Sequence, residues 1–276
     1  MEQLSGKTAL VTGSTDGVGR LVARELGQTG ARVLVHGRDA ERGARVVADI
    51  EASGGAADFL AADLSALAEV RRLADATQAT VDRLDIRINN AGIGAAGPRQ
   101  TSAEGFELRF AVNYLAGFLL TLLLLPLIKN SAPARVSSAG QQPIDFGDVM
   151  LTRGYSGTRA YCQSKLAQIM FTIDLGAALE GTGVTVTCLH PATYMNTSMV
   201  RRAGVRPLST VEEGARAILN LATSPAVEGQ TGLYFNGLHE ARAQAQAYDP
   251  DARRQLQALS LELTGLSAEG VAALER

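Results

Sequence analysis

The stretch Thr158-Arg159-Ala160-Tyr161-Cys162-Gln163-Ser164-Lys165 places a phenol four residues before an ammonium. On a helix, residues i and i+4 share a face, so the two groups meet if this stretch is helical. Tyrosine ordinarily keeps its proton until about pH 10, and a fixed cation beside it favours the phenolate and lowers that value. Such a tyrosine can give a proton to a carbonyl oxygen, or take one from an alcohol, near neutral pH. The same spacing also fits a surface helix whose Tyr and Lys do no chemistry, so the surroundings must decide.

A second candidate lies near the start, in Thr12-Gly13-Ser14-Thr15-Asp16-Gly17-Val18-Gly19. Glycines let a backbone turn tightly and approach a pyrophosphate closely, and a helix that begins among them offers free N–H groups and partial positive charge. A merely structural turn has the same composition. Its place between an apolar run and an amphipathic one favours the phosphate cradle.

These groups need a frame, and the hydrophobic pattern supplies one. Short apolar runs read as strands over 7–12, 32–36, 56–61, 84–89, 134–137, 184–189 and 232–235. Longer amphipathic runs read as helices over 17–30, 39–53, 65–81, 103–129, 159–180, 210–223 and 249–263. Alternation of this kind predicts right-handed βαβ crossovers. The fold class is α/β: one Rossmann-like, doubly wound parallel sheet of about seven strands, with helices on both faces. No linker or repeat interrupts it, so residues 1–276 read as a single domain, with a cofactor half over about 1–130 and a catalytic and substrate half over about 131–276.

The Gly-x3-Gly-x-Gly turn resembles that of the short-chain dehydrogenase/reductase family, and the resemblance extends over nearly the whole chain. Asn89-Asn90-Ala91-Gly92 follows the fourth strand and Asp63-Leu64 the third. Asn113, Ser138, Tyr161 and Lys165 fall in the order of the family's catalytic tetrad, and His190-Pro191-Ala192-Thr193 follows the sixth strand. Tyr-Cys-Gln-Ser-Lys-Leu-Ala, with the long spacing from Ser138 to Tyr161, is most similar to the retinol-dehydrogenase-like branch.

The resemblance implies hydride transfer between a nicotinamide and a carbonyl carbon. Tyr161 is then the acid in reduction and the base in oxidation. Lys165 lowers its pKa and holds the ribose hydroxyls, Ser138 polarises the carbonyl oxygen, and Asn113 holds a water linking Lys165 to solvent. Cofactor contacts are implied along the turn at Gly13, Ser14, Thr15, Asp16, Gly17, Val18 and Gly19. Others are implied for the adenine at Asp63 and Leu64, after the fourth strand at Asn90, Ala91 and Gly92, and at the nicotinamide end at Tyr161, Lys165, Pro191 and Thr193.

NAD-binding members carry an acid at the end of the second strand. Here that strand ends Val35-His36-Gly37-Arg38-Asp39, with Gly37 where the acid would stand. Arg38 can bind a 2′-phosphate, and Asp39 reads as the cap of the next helix. Asp16 stands where some NADP enzymes carry a basic residue. The balance favours NADP(H) over NAD(H).

Two departures from the family pattern stand out. The 24 residues between Asn113 and Ser138 are fewer than usual, which shortens the fifth strand and puts the placement of Ser138 in question. Arg87 falls within Asp85-Ile86-Arg87-Ile88, an inner strand that should be apolar, and reads as a strand-edge charge that snorkels.

The composition bounds the rest. The 276 residues are 46% hydrophobic and 20% charged, ample for a packed core, and the net charge of −2 gives no reason to expect nucleic acid. Cys162 and Cys188 form no spacing motif and fit reduced thiols; no metal site is expected. The most apolar stretch, 118–128, is too short to span a bilayer, which takes about twenty residues. The expectation is a cytoplasmic protein without membrane contact, a homodimer or homotetramer through the helices over 103–129 and 159–180. The segments 141–151 and 194–200 flank the carbonyl site and suggest a bulky, lipophilic carbonyl or alcohol as substrate. The reading is an NADP(H)-dependent oxidoreductase. A dinucleotide-sensing regulator without catalysis, and an epimerase or dehydratase using the same Tyr–Lys pair, are the alternatives.

Overall fold

Alternate residues of the first strand, β1 (Thr8–Val11), enter two different apolar cores. Leu10 joins one, and Ala9 and Val11 the other, as the two-residue period of a strand buried on both faces requires. The computed structural model describes residues 3–128, 134–136 and 141–275. Around β1 stand β2 (Arg32–Gly37), β3 (Ala56–Ala61) and β4 (Ile86–Ile88), in the parallel order β3-β2-β1-β4. A second ladder, β5-β6-β7-β8, joins β5 (Ala134–Val136), β6 (Thr187–His190) and β7 (Leu233–Asn236) in parallel, with the short antiparallel β8 (His239–Glu240) at its edge. β4 and β5 run side by side, so the seven expected strands form the centre, and β8 is an addition.

Helices cover both faces. α1 (Gly17–Gln28) turns Val18, Val22 and Leu26 inward at four-residue intervals. With α2 (Ala40–Ala52) and α7 (Val211–Thr223) it covers the Ala9/Val11 face. α3 (Leu67–Thr80), α4 (Ala116–Ile128) and α5 (Gly157–Ala178) cover the other. α6 (Ser198–Arg202) is a single short turn after β6, and α8 (Pro250–Thr264) and α9 (Ala268–Glu275) end the chain. The sequence pattern did not anticipate α6, α9 or β8.

The helix expected over 103–129 differs in two ways. Residues 103–105 form a turn, with Gly105 at φ +85° and Ser102 Oγ accepting N–H groups from Glu104 and Phe106. The helix that follows begins as π-helix over Phe110–Leu115 before becoming α4. The helical run Phe110–Ile128 is 19 residues long with mean hydropathy 2.1, so by length and composition it is able to cross a bilayer, which corrects the argument from eleven residues; 72% of its most apolar window is buried inside the fold.

That burial is completed by the C-terminus. α9 packs on α4 and α8 on α5, the two helices through which a homodimer or homotetramer was expected. Tyr114 Oη and Ser260 Oγ share a hydrogen bond of 2.7 Å, and Arg253 Nε meets Asp174 Oδ1 at 2.6 Å.

Arg87 does not snorkel. It is 1% exposed and points from β4 at α4, where Nη1 donates to Thr121 Oγ1. At the other end of the strand Asp85 accepts the Thr8 N–H at 3.0 Å and pairs with Lys7 at 3.1 Å, tying the starts of β1 and β4 together.

Candidate active site

Ser156 caps α5 by accepting the Arg159 N–H, and the helix carries Tyr161 half-buried and Lys165 buried on one face. The Lys165 ammonium lies 5.5 Å from the centre of the Tyr161 ring and donates to Gln168 Oε1 at 3.1 Å. Burial lowers its pKa from the ordinary lysine value to about 8. Gln168 was not singled out from the sequence, although its place three residues after Lys165 put it within reach.

Asn113 sits in the π-helical turn, a distortion often found at functional sites. Its Oδ1 accepts the Ile93 N–H at 2.7 Å, and its Nδ2 donates to Ile93 O at 3.1 Å and Ser164 Oγ at 3.0 Å. The amide therefore binds the loop after β4 to α5. A cavity of about 10 Å³, lined in part by Asn113, Gln168 and Leu64, lies alongside, close to the space one water needs.

Gly92 is where these groups converge. A Cβ built there would stand 3.2 Å from Asn113 Oδ1 and 3.6 Å from Lys165 Nζ. The rest of this loop is held by Arg109, which the sequence reading missed. Arg109 is 2% exposed and donates to the carbonyls of Gly94 and Ala96 and to Tyr155 Oη. The N-terminus of α5 comes so close that a Cβ at Gly157 would lie 2.0 Å from Ala95 O. Ser138 lies outside the described residues.

The glycine turn is built as a close cradle. Gly13 and Gly17 stand at φ +65° and +55°, the left-handed region that suits glycine. A Cβ at Gly13 would meet Ala91 Cα at 2.8 Å, and one at Gly19 would meet Asn90 Nδ2 at 2.2 Å. Asn90 Nδ2 donates to the carbonyls of Thr12 and Gly13, and Thr12 Oγ1 accepts the N–H groups of Asn90 and Ala91. Asn90 and Ala91 thus support the turn, while Ser14 is wholly buried with Oγ on Val11 O. Asp16 caps α1 on the Gly17 N–H. Its burial pushes its pKa up, but hydrogen bonds from Ser198 and Gly17 and the charges of Arg42 and Arg202 bring the net value below the ordinary one. A turn of this shape, opening onto a helix N-terminus, fits a dinucleotide pyrophosphate.

At the far end, a Cβ at Gly37 would lie 2.6 Å from Thr15 Cγ2, so Thr15 fills the place where an acid was sought. Arg38 is exposed and stands 3.5 Å from Asp63, whose other oxygen accepts the Ser65 N–H at 3.0 Å. Leu64 is buried beneath. Asp39 caps α2 through the Arg42 N–H at 3.0 Å, as expected. Across the cleft Pro191 is buried, and Thr193 Oγ1 lies 3.0 Å from His190 Nε2.

The expected substrate walls divide. Ile144, Val149 and Leu151 are buried. Tyr194 and Met199 are exposed, with Met199 Cγ 3.1 Å from a Cβ position at Gly94.

The family model for short chain dehydrogenases matches residues 7–206. Human retinol dehydrogenase 11 is 36% identical over 280 residues, covering 96% of this chain and 87% of that protein. A bovine protein described as dehydrogenase/reductase SDR family member 13 is 37% identical over 286 residues, covering 96% and 75%. Among solved structures, a putative uncharacterized protein from Mycobacterium Paratuberculosis superposes with a TM-score of 0.82 at 30% identity, covering 97% of this chain and 96% of that one. Landomycin C-6 ketoreductase LanV, solved with bound NADP and rabelomycin, superposes at 0.69 with 29% identity, covering 86% and 96%.

Proposed function

Given that the chain belongs to the short-chain dehydrogenase/reductase family, we propose that it is an NADP(H)-dependent oxidoreductase interconverting a carbonyl and an alcohol on a fairly lipophilic small molecule. A bound nicotinamide supplies or accepts the hydride. Tyr161 gives its phenolic proton to the substrate oxygen in reduction and recovers it in oxidation. Lys165, held in place by Gln168, provides the nearby positive charge that eases this transfer and reaches the ribose hydroxyls. Asn113 sets the loop carrying Gly92 against α5, so that the floor beneath the ribose is fixed. Ser138 orients the carbonyl oxygen.

The observation that carries the reading is the buried ammonium of Lys165 beside the Tyr161 ring, converging with Asn113 on Gly92. The preference for NADP(H) is supported by Arg38 beside a position closed to an acid, and by the NADP in the LanV structure. A lipophilic substrate is supported by exposed Tyr194 and Met199 and by the similarity to retinol dehydrogenases. The test is a panel of carbonyls, retinal and polycyclic ketones among them, assayed with NADPH and NADH. Turnover of lipophilic members with NADPH is expected; failure across the panel with both cofactors would overturn the reading.

A further inference from the structure

Gly13 has both of its peptide groups taken by side chains, one from β2 and one from the loop after β4. Its C=O accepts from Asn90 Nδ2 at 3.0 Å, and its N–H donates to His36 Nδ1 at 3.0 Å. The backbone of His36 adds two more bonds to the turn: its N–H donates to Ser14 Oγ at 2.9 Å, and its C=O accepts the Ser14 N–H at 2.9 Å. One residue at the end of β2 thus holds two successive residues of the cradle.

His36 is 2% exposed. Burial holds its imidazole down at about 4, so the ring is neutral near pH 7. The bond from Gly13 makes Nδ1 the acceptor, which leaves the hydrogen on Nε2. Nε2 is buried and turned toward the backbone of Ala62, without a hydrogen bond of good geometry. Ala62 leads directly into Asp63 and Leu64, and its own N–H is bonded to Gly37 O at 3.2 Å. The imidazole therefore stands between the glycine turn and the segment assigned to the adenine.

We propose that His36 is a positioning residue for the dinucleotide: its Nδ1 sets the Gly13 peptide, and its ring fixes the spacing between the phosphate turn and residues 62–64. The inference rests on the dinucleotide reading of that turn. An apolar side chain at 36 takes the acceptor from the half-buried Gly13 N–H, a cost that the turn relieves by rotating the peptide. Asparagine places Oδ1 close to where Nδ1 stands and keeps the acceptor.

The test compares His36→Leu and His36→Asn in the full chain, with His36→Val serving if the leucine variant does not fold. Dissociation constants for NADPH are measured by its fluorescence, kcat at saturating cofactor, and amide exchange at Gly13 without ligand. The apolar variant is expected to bind NADPH about tenfold more weakly, with kcat at saturation little changed and Gly13 exchange accelerated; His36→Asn is expected to stay near the parent in all three. Equal affinity in the apolar variant, or an asparagine variant as weak as the apolar one, would overturn the role. If the parent bound neither NADPH nor NADH, the dinucleotide reading would fail, and the His36 role with it. Unaccelerated Gly13 exchange in the apolar variant would remove the His36 lock even where the cofactor binds.

Discussion

The Lys165 ammonium sits 5.5 Å from the centre of the Tyr161 ring, one helical turn along the same face of α5. Tyr161→Phe keeps the ring and removes the proposed proton donor. General acid–base catalysis contributes about 10² to 10⁴ in rate, so kcat is expected to fall at least about a hundredfold while the Kd for NADPH stays within about twofold. Near-parental turnover on a genuine substrate would mean that the proton comes from elsewhere.

The same lysine burdens the fold. Its pKa is lowered to about 8 in the folded chain by burial, from an ordinary 10.5, so at pH 7 it is charged in both states and the burial penalty is fully present. As pH rises from about 8 toward 10.5 the folded lysine sheds its proton before the unfolded one does, and the penalty disappears. Lys165→Met is therefore expected to be inactive yet more stable at pH 7, by on the order of 3 kcal/mol, with the gain fading by pH 10. Urea titrations at the two pH values measure this; a variant less stable at pH 7 would contradict it.

Arg38 is 70% exposed at the side chain, and its ion pair with Asp63 is long at 3.5 Å, so little stability depends on it. Arg38→Ala is expected to raise KM for NADPH about tenfold or more and to leave NADH nearly untouched, because NADPH alone offers a 2′-phosphate for charged, bidentate contact. Equal losses with both cofactors would count against the NADP(H) assignment.

Because α9 packs on α4 and α8 on α5, the full chain is expected to run as a monomer in light scattering at micromolar concentration. Leu256→Asp puts a charge under α8, where Leu256 is 2% exposed, and is expected to cost about 3 kcal/mol or more and to promote self-association. A parental dimer contacting through α4 and α5 would show that the C-terminal helices move aside.

Much of this was readable from the sequence because β1 to β4 and their helices are set by local pattern: apolar runs bounded by glycine turns, and helices capped by Asp16 and Asp39. The same holds for Tyr161 and Lys165, four residues apart on one helix. What stayed hidden depends on partners distant along the chain. Arg87 reads as a misplaced charge until Thr121 appears beside it. Ala103 and Glu104 favour helix by propensity, but Ser102 and Gly105 bend them into a turn. His36 looked like part of a strand end, since its acceptor role depends on Gly13, 23 residues away. α9 carries a weak apolar face that acquires meaning against α4.

The π-helical turn over Phe110–Leu115 sets a constraint on how this chain can change over time. Such a turn spends one residue more than an α-turn to close the same circle, so it amounts to a tolerated single-residue insertion. Deleting one residue between 110 and 115 would restore regular α-geometry and leave the helix on either side in phase, so that only the side chains of the turn itself would be re-aimed. Asn113 would then leave Ile93 and Ser164, while Leu119, Leu122 and the rest of α4 kept their places. Lineages that lost that residue would retain a sound core around a misaligned amide, which makes the turn a natural frontier between drift that is silent and drift that is not.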